Sequence, residues 1–201
     1  MWVVKLGGSF SGEKVLLRWL KMLSRQAPEK TVVVPGGGRF ADQVRQAQKH
    51  WRFGDRTAHH MALLAMQQMG RMYSALEPGL KPAPSVADVL ELVGQGITPV
   101  WLPDPEELDR DGVPASWQVT SDSLSAWLAG KLGARALSLV KSVEPPCQDP
   151  GGLRRAGIVD PEFPAWLPEG IRFRCYHCSQ FGVLQEQMHL SAREITPCQE
   201  T

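Results

Sequence analysis

Short runs of β-branched and aliphatic residues alternate along this chain with longer segments whose apolar positions recur three and four apart, the periods of a buried strand and an amphipathic helix. Val3–Leu6, Thr31–Val34, Ile97–Leu102 and Ala136–Ser142 are the strand-like runs. Between the first two, Val15, Leu16, Trp19, Leu20 and Leu23 mark one face of a helix over residues 12–26, giving a β-α-β start. Phe40, Val44, Ala47 and Trp51 mark a second helical face, and Met61, Leu64, Ala65, Gln68, Met69 and Met72 a third, whose methionines belong to the core. Ser85 and Asp88 have the spacing of a capping box ahead of Val86, Val89, Leu90 and Val93. Pro99 puts its strand at a start or a sheet edge. Leu102–Trp117, rich in proline and aspartate, predicts an exposed loop. Trp117–Ser123 then leads into Leu124, Trp127, Leu128 and Leu132, so Ser121 or Asp122 opens a further helix. Strands alternating with helices predict a mostly parallel sheet with helices on both faces.

Two of the strand ends run into glycine: Lys5-Leu6-Gly7-Gly8-Ser9 and Val34-Pro35-Gly36-Gly37-Gly38. A phosphate reaches backbone N–H groups only where no Cβ intervenes, and a following helix N-terminus adds partial positive charge. Two such turns suggest two anionic groups held face to face, the layout of phosphoryl transfer. Lys5 adds a full charge beside the first turn, and Lys141 closes the Ala136–Ser142 strand, where it either meets a ligand or snorkels to solvent. No G-x-x-x-x-G-K-[ST] occurs. Gly36-x-Gly38-x-x-Ala41 matches the relaxed dinucleotide fingerprint but lacks the acidic residue expected after its next strand.

The 201 residues, 43% of them hydrophobic, fit one domain over residues 1–201 with a sizeable core. Its 22 basic and 21 acidic residues nearly balance, which predicts neither a nucleic-acid nor a membrane-surface partner. With no long apolar span and no charged leader, a cytoplasmic enzyme is the expectation. Cys147, Cys175, Cys178 and Cys198 cluster in the last third and read as reduced thiols. Cys175-x-x-Cys178, with His189 and Cys198, is an incomplete zinc set; Ile171, Phe173 and Cys175 instead alternate as on a half-buried strand, so no metal site is expected.

Four of these segments together, Lys5-Leu6-Gly7-Gly8-Ser9, Pro35-Gly36-Gly37-Gly38, Thr120-Ser121-Asp122-Ser123 and Leu139-Val140-Lys141-Ser142-Val143, resemble the amino acid kinase superfamily in order and spacing over residues 1–145. That family includes acetylglutamate, aspartate, carbamate and uridylate kinases. The resemblance implies a three-layer α/β/α sandwich with a mostly parallel central sheet. Phe53–Met66, Trp117–Ser123 and Gly157-Ile158-Val159-Asp160-Pro161 are similar to segments of the small kinases of methanofuran biosynthesis, which act on [5-(aminomethyl)furan-3-yl]methyl phosphate.

By this resemblance ATP, with Mg²⁺, phosphorylates a small phosphorylated substrate to its diphosphate. Lys5, Asp122 and Lys141 would be catalytic, with Asp122 orienting the two lysines. Gly7, Gly8, Ser9, Thr120 and Ser121 would bind the ATP phosphates, and Gly36, Gly37, Gly38 and His59 the acceptor. Asp55, Asp104 and Asp109 are the candidate carboxylates for the aminomethyl group. A homo-oligomer is implied by family likeness. The alternatives are a carboxylate, carbamate or nucleotide monophosphate kinase of the same fold, and a non-catalytic nucleotide- or oxyanion-binding homologue.

Overall fold

The computed structural model describes residues 1–12, 14–25 and 30–193. The strands are β1 (Trp2–Leu6), β2 (Thr31–Pro35), β3 (Leu80–Ala83), β4 (Thr98–Trp101), β5 (Ala136–Lys141) and β6 (Arg172–His177). The helices are α1 (Lys14–Ser24), α2 (Gly38–Trp51), α3 (Asp55–Leu76), α4 (Val86–Gly94), α5 (Pro105–Arg110), α6 (Ser121–Lys131), α7 (Pro150–Arg155), α8 (Phe163–Trp166) and α9 (Phe181–Arg193). Every strand pairing is parallel, and the sheet order is β3-β4-β2-β1-β5-β6. β2, β4 and β3 lie in that order on one side of β1, β4 inserting between its two predecessors, and β5 and β6 lie on the other, so the chain switches sides at β1. The C-terminal ends flanking such a reversal form the crevice in which ligands of open α/β sheets bind.

Strand alternation splits the interior into two clusters, one per sheet face. Val4, Leu6, Val33 and Val140 face α1 and α9 through Leu16, Trp19, Leu20, Leu184 and Met188. Val3, Val32, Val34, Leu137 and Leu139 face α4, α6, α7 and α8 through Val89, Leu124, Leu128, Leu153 and Phe163. The Trp19 indole donates to the Cys178 carbonyl at 2.7 Å, fastening α1 to the end of β6. Residues 122–129 of α6 are all buried, as a helix enclosed on every side must be.

The capping box at Ser85 and Asp88 forms as its spacing predicts. Two other expectations change, and one, for Pro99, is narrowed to the first of its two alternatives. The Leu102–Trp117 segment is not simply a loop: the Asp104 side chain accepts from the Glu106 and Glu107 amides, Pro105 occupies the first helical position, and α5 buries Leu108. Pro99 lies at the start of β4 but not at an edge, since β3 pairs beyond it and carries Pro82 on the true edge. On α2 only Val44 is buried, with Phe40 39% and Trp51 74% exposed. That helix packs chiefly on α3 and on the short 3₁₀ turn Gly8–Phe10.

Candidate active site

Because side chains alternate along a strand, Lys5 shares the sheet face of Val3, and Lys141 that of Leu137 and Leu139. β1 and β5 are neighbours, with Lys5 paired opposite Leu139, so both lysines emerge on one face near the C-terminal ends. The N-terminus of α6 lies over that point, and its second residue, Asp122, sits between them. Lys5 Nζ donates to Asp122 Oδ1 at 2.7 Å and Lys141 Nζ donates to Asp122 Oδ2 at 2.6 Å. The side chains of Lys5 and Asp122 are 5% and 6% exposed and that of Lys141 is 13% exposed. Burial opposes ionisation of Asp122, but the Lys141 and Lys5 ammonium groups outweigh it and hold the carboxyl well below the usual carboxylate range. Burial likewise draws the Lys5 ammonium below the ordinary lysine value, against the upward pull of Asp122.

The two glycine turns touch. Gly7 N–H donates to the Val140 carbonyl at 2.9 Å and Gly36 N–H to the Leu6 carbonyl at 2.8 Å, which extends the ladder past the strands. A Cβ on Gly8 would fall on the Gly38 backbone nitrogen, and one on Gly36 would lie 2.6 Å from the Gly8 nitrogen. Gly38 itself has φ of 51°, a conformation that favours glycine. The Ser9 and Ser142 hydroxyls meet at 2.7 Å across the mouth between β1 and β5.

Beside the turns opens a cavity of about 420 Å³. Gly8, Ser9 and Gly36–Gly38 form one wall and the start of α6, with Thr120 and Ser121, another; α2 contributes Arg39, Asp42 and Arg45, and α3 His59, Leu63 and Met66. Trp117 closes it, with the Arg45 guanidinium 3.8 Å from its ring centroid and its indole donating to Gln48 at 2.7 Å. His59 is buried, with Nδ1 3.1 Å from the Ser116 carbonyl. Burial lowers its pKa, so the ring is neutral near pH 7 and the carbonyl, able only to accept, fixes the proton on Nδ1.

The sequence model of the amino acid kinase family matches residues 1–145. The chain belongs to the amino acid kinase family. A family member from Methanocaldococcus jannaschii, a [5-(aminomethyl)furan-3-yl]methyl phosphate kinase, is 30% identical over 145 residues, covering 72% of this chain and 67% of the relative. Among solved structures, the uridylate kinase of Archaeoglobus fulgidus superposes with a TM-score of 0.70 at 15% identity, covering 94% of this chain and 96% of its own. An aspartate kinase from Synechocystis gives 0.65 at 16% identity over 89% of this chain and 38% of its own. The protein is a phosphotransferase with the α/β fold of the amino acid kinases.

Within this family member, the residues singled out by sequence fall into two groups. Lys5, Asp122, Lys141 and Gly7 gather at the β1–β5 end, whereas Gly8, Ser9, Gly36, Gly37, Gly38, His59, Thr120 and Ser121 line the cavity together. His60 turns away, with Nε2 3.2 Å from Asp109, which also accepts from Arg56 at 2.6 Å. Of the three candidate carboxylates for an amino group, Asp109 is held there, Asp55 accepts from Gln48 at 2.8 Å and Asp104 caps α5; none lines the cavity. Among described residues no group of three His, Cys, Asp or Glu side chains is placed to hold a metal, and Cys198 lies outside them.

Sequence reasoning missed Asp160 as a site residue. Its buried carboxylate accepts from the Thr120 amide at 2.9 Å, the Thr120 hydroxyl at 2.8 Å, the Ser123 amide at 3.0 Å and the Ser123 hydroxyl. It therefore caps α6 from 37 or more residues away and fixes the helix end that carries Asp122. The signal was present in Gly157–Pro161, but nothing local says which N-terminus that aspartate reaches. Arg39, Asp42, Arg45 and Trp117 were also missed as cavity-lining residues.

Proposed function

We propose that this kinase transfers the terminal phosphoryl group of ATP to the phosphate of a small monoester, [5-(aminomethyl)furan-3-yl]methyl phosphate, giving its diphosphate and ADP. The observation that carries the reading is the buried Lys5–Asp122–Lys141 clamp at the strand ends, set against two contacting glycine turns. An acceptor phosphate oxygen attacks the γ-phosphorus while the bond from that phosphorus to the β,γ-bridging oxygen breaks, and negative charge spreads over the transferring group. Lys5 and Lys141 supply positive charge there, and Asp122 fixes the direction of both ammonium groups so that little reorganisation accompanies transfer.

The Gly7–Ser9 turn, beside Lys5, suits the donor phosphates; Mg²⁺ would be carried in on the triphosphate, since Asp122 is already committed to two lysines. Gly36–Gly38 and the start of α2 suit the acceptor phosphate, and Thr120 and Ser121 on α6 reach the space between the two. The furan substrate is favoured by the family member 30% identical to this chain and by a cavity with both cationic and apolar walls. Exposed Phe40, Trp51, Met61 and Leu64 on α2 and α3 support a homo-oligomer.

The test is ADP release with Mg·ATP and, in parallel, the aminomethylfuran phosphate, UMP, N-acetylglutamate and carbamate, with Lys5→Ala as the blank. Turnover of the furan phosphate alone is the expected result. Turnover of another acceptor instead overturns the assigned substrate, and ATP binding without turnover overturns catalysis in favour of a binding homologue.

A further inference from the structure

Resting on that reading, we infer that Asp42 is the carboxylate that selects a primary ammonium group on the acceptor, with His59 Nε2 as a second acceptor. Among the described residues the cavity wall has one carboxylate, Asp42, and it makes no hydrogen bond or ion pair with any of them. Its cationic neighbours on the helix are engaged elsewhere or point another way: Arg45 lies over Trp117, and an Arg39 terminal nitrogen approaches Gly12, 3.4 Å from where a Cβ there would stand. The remaining carboxylates once plausible for an amino group, Asp55, Asp104 and Asp109, are bonded outside the cavity.

His59 complements this carboxylate. With Nδ1–H given to the Ser116 carbonyl and the ring kept neutral, Nε2 is left as an acceptor, and an ammonium group is made only of donors. Protonated His59 would repel the same group. The rest of the lining sorts in the same way: backbone N–H groups of the glycine turns suit the phosphate end of the acceptor, and Leu63, Met66 and Trp117 suit a flat ring between the two charges. The preferred ligand is thus a zwitterion, a phosphate and a primary amine on opposite sides of a small ring. A neutral analogue of equal size gains the ring and phosphate contacts and loses the charge-assisted hydrogen bonds.

The test is calorimetric binding of two probes, 3-(aminomethyl)benzyl phosphate and its isostere 3-ethylbenzyl phosphate, to the wild type, Asp42→Asn and Asp42→Ala. In the wild type the amine probe is expected to bind about tenfold or more tightly, the fold-change of one charge-assisted hydrogen bond. In both variants that ratio falls towards one, with unchanged thermal melting because Asp42 is exposed. A wild-type ratio near one, a ratio that survives both substitutions, or no binding of either probe overturns the assignment. Turnover of the aminomethylfuran phosphate is read in the same samples: no turnover beside an amine preference that depends on Asp42 overturns the kinase substrate and leaves the ammonium site standing.

Discussion

Replacing Asp122 by Asn tests the clamp most directly. The substitution keeps the shape and one carbonyl acceptor, but turns the other oxygen into an N–H₂ donor facing an ammonium group 2.6 to 2.7 Å away. One lysine loses its partner and gains a repulsive neighbour, and with Lys5 buried its charge has no water to return to. Breaking a buried pair in this way costs about 3–5 kcal/mol. At roughly 2–4 °C per kcal/mol for a chain of this size, the melting temperature should fall by about 6–20 °C. The loss should shrink with rising pH. Without the carboxylate, Lys5 titrates further below its unfolded value of about 10.4, so between those two values the unfolded chain binds more protons and stability rises with pH. Turnover should fall about 10²-fold or more, with a much smaller change in KM, because the clamp acts on charge that develops during transfer. Melts near pH 6 and pH 9, urea titrations and steady-state kinetics measure all three. A variant with wild-type turnover, or one whose destabilisation grows with pH, refutes the account of Asp122 as the charge that orients both lysines.

Gly8→Ala forces a Cβ into the Gly38 backbone, where no flexible side chain can yield, and should cost about 1–3 kcal/mol or more while abolishing turnover; calorimetry and ADP release measure both. Asp160→Ala strips the Thr120 and Ser123 amides and hydroxyls of their acceptor, and should lower stability by about 2 kcal/mol or more and kcat along with it. Ala and Asn should rank in that order of severity, since Asn keeps one acceptor, and equal melting of all three proteins would refute the remote cap. The Cys175 thiol, pushed up to about 11 by burial, should stay unalkylated in the native state near pH 8 while the partly exposed Cys147 reacts, as mass mapping of labelled peptides would report. Its raised pKa means that stability present below about pH 8.5 is lost as pH rises towards 11.

The clamp was legible because both lysines belong to strands whose two-residue period is unambiguous. Val3 and Leu137 must face a core, so Lys5 and Lys141 inherit a face, and parallel pairing of β1 with β5 makes that face common to both. The helix start was legible from Thr120–Ser123 and the apolar positions after it, but that reading left Ser121 or Asp122 open, and the family resemblance singled out Asp122. β3 was not legible, since Leu80-Lys81-Pro82-Ala83 has no β-branched residue; an edge strand with only its first and last residues buried needs none. Asp160 illustrates the opposite limit. Thr120 and Ser123 look able to cap α6 themselves, yet their hydroxyls donate to Asp160, and a pairing across 37 to 40 residues leaves no periodic trace.

The acceptor side was harder to read for a reason that bears on specificity. Apolar periodicity assigns Phe40, Val44, Ala47 and Trp51 to a core-facing stripe, but a helix that packs chiefly on α3 and a 3₁₀ turn buries Val44 and exposes the ends of that stripe. What α2 gives the cavity is instead a polar row, Arg39, Asp42 and Arg45, spaced at three residues and so on one face. Such a row in sequence is indistinguishable from a solvated helix surface. It becomes a selective wall only because the glycine turns bring the start of α2 against the end of β1, and Trp117, from a segment with the composition of a loop, takes Arg45 away from Asp42. The fold thus fixes the Lys5–Asp122–Lys141 end through the register of β1 with β5, while on the proposed reading acceptor choice rests on side chains of α2. Substitutions on that face of α2 should therefore change which acceptor binds at little cost to the sheet, and substitutions at the strand ends should lose both activity and stability together.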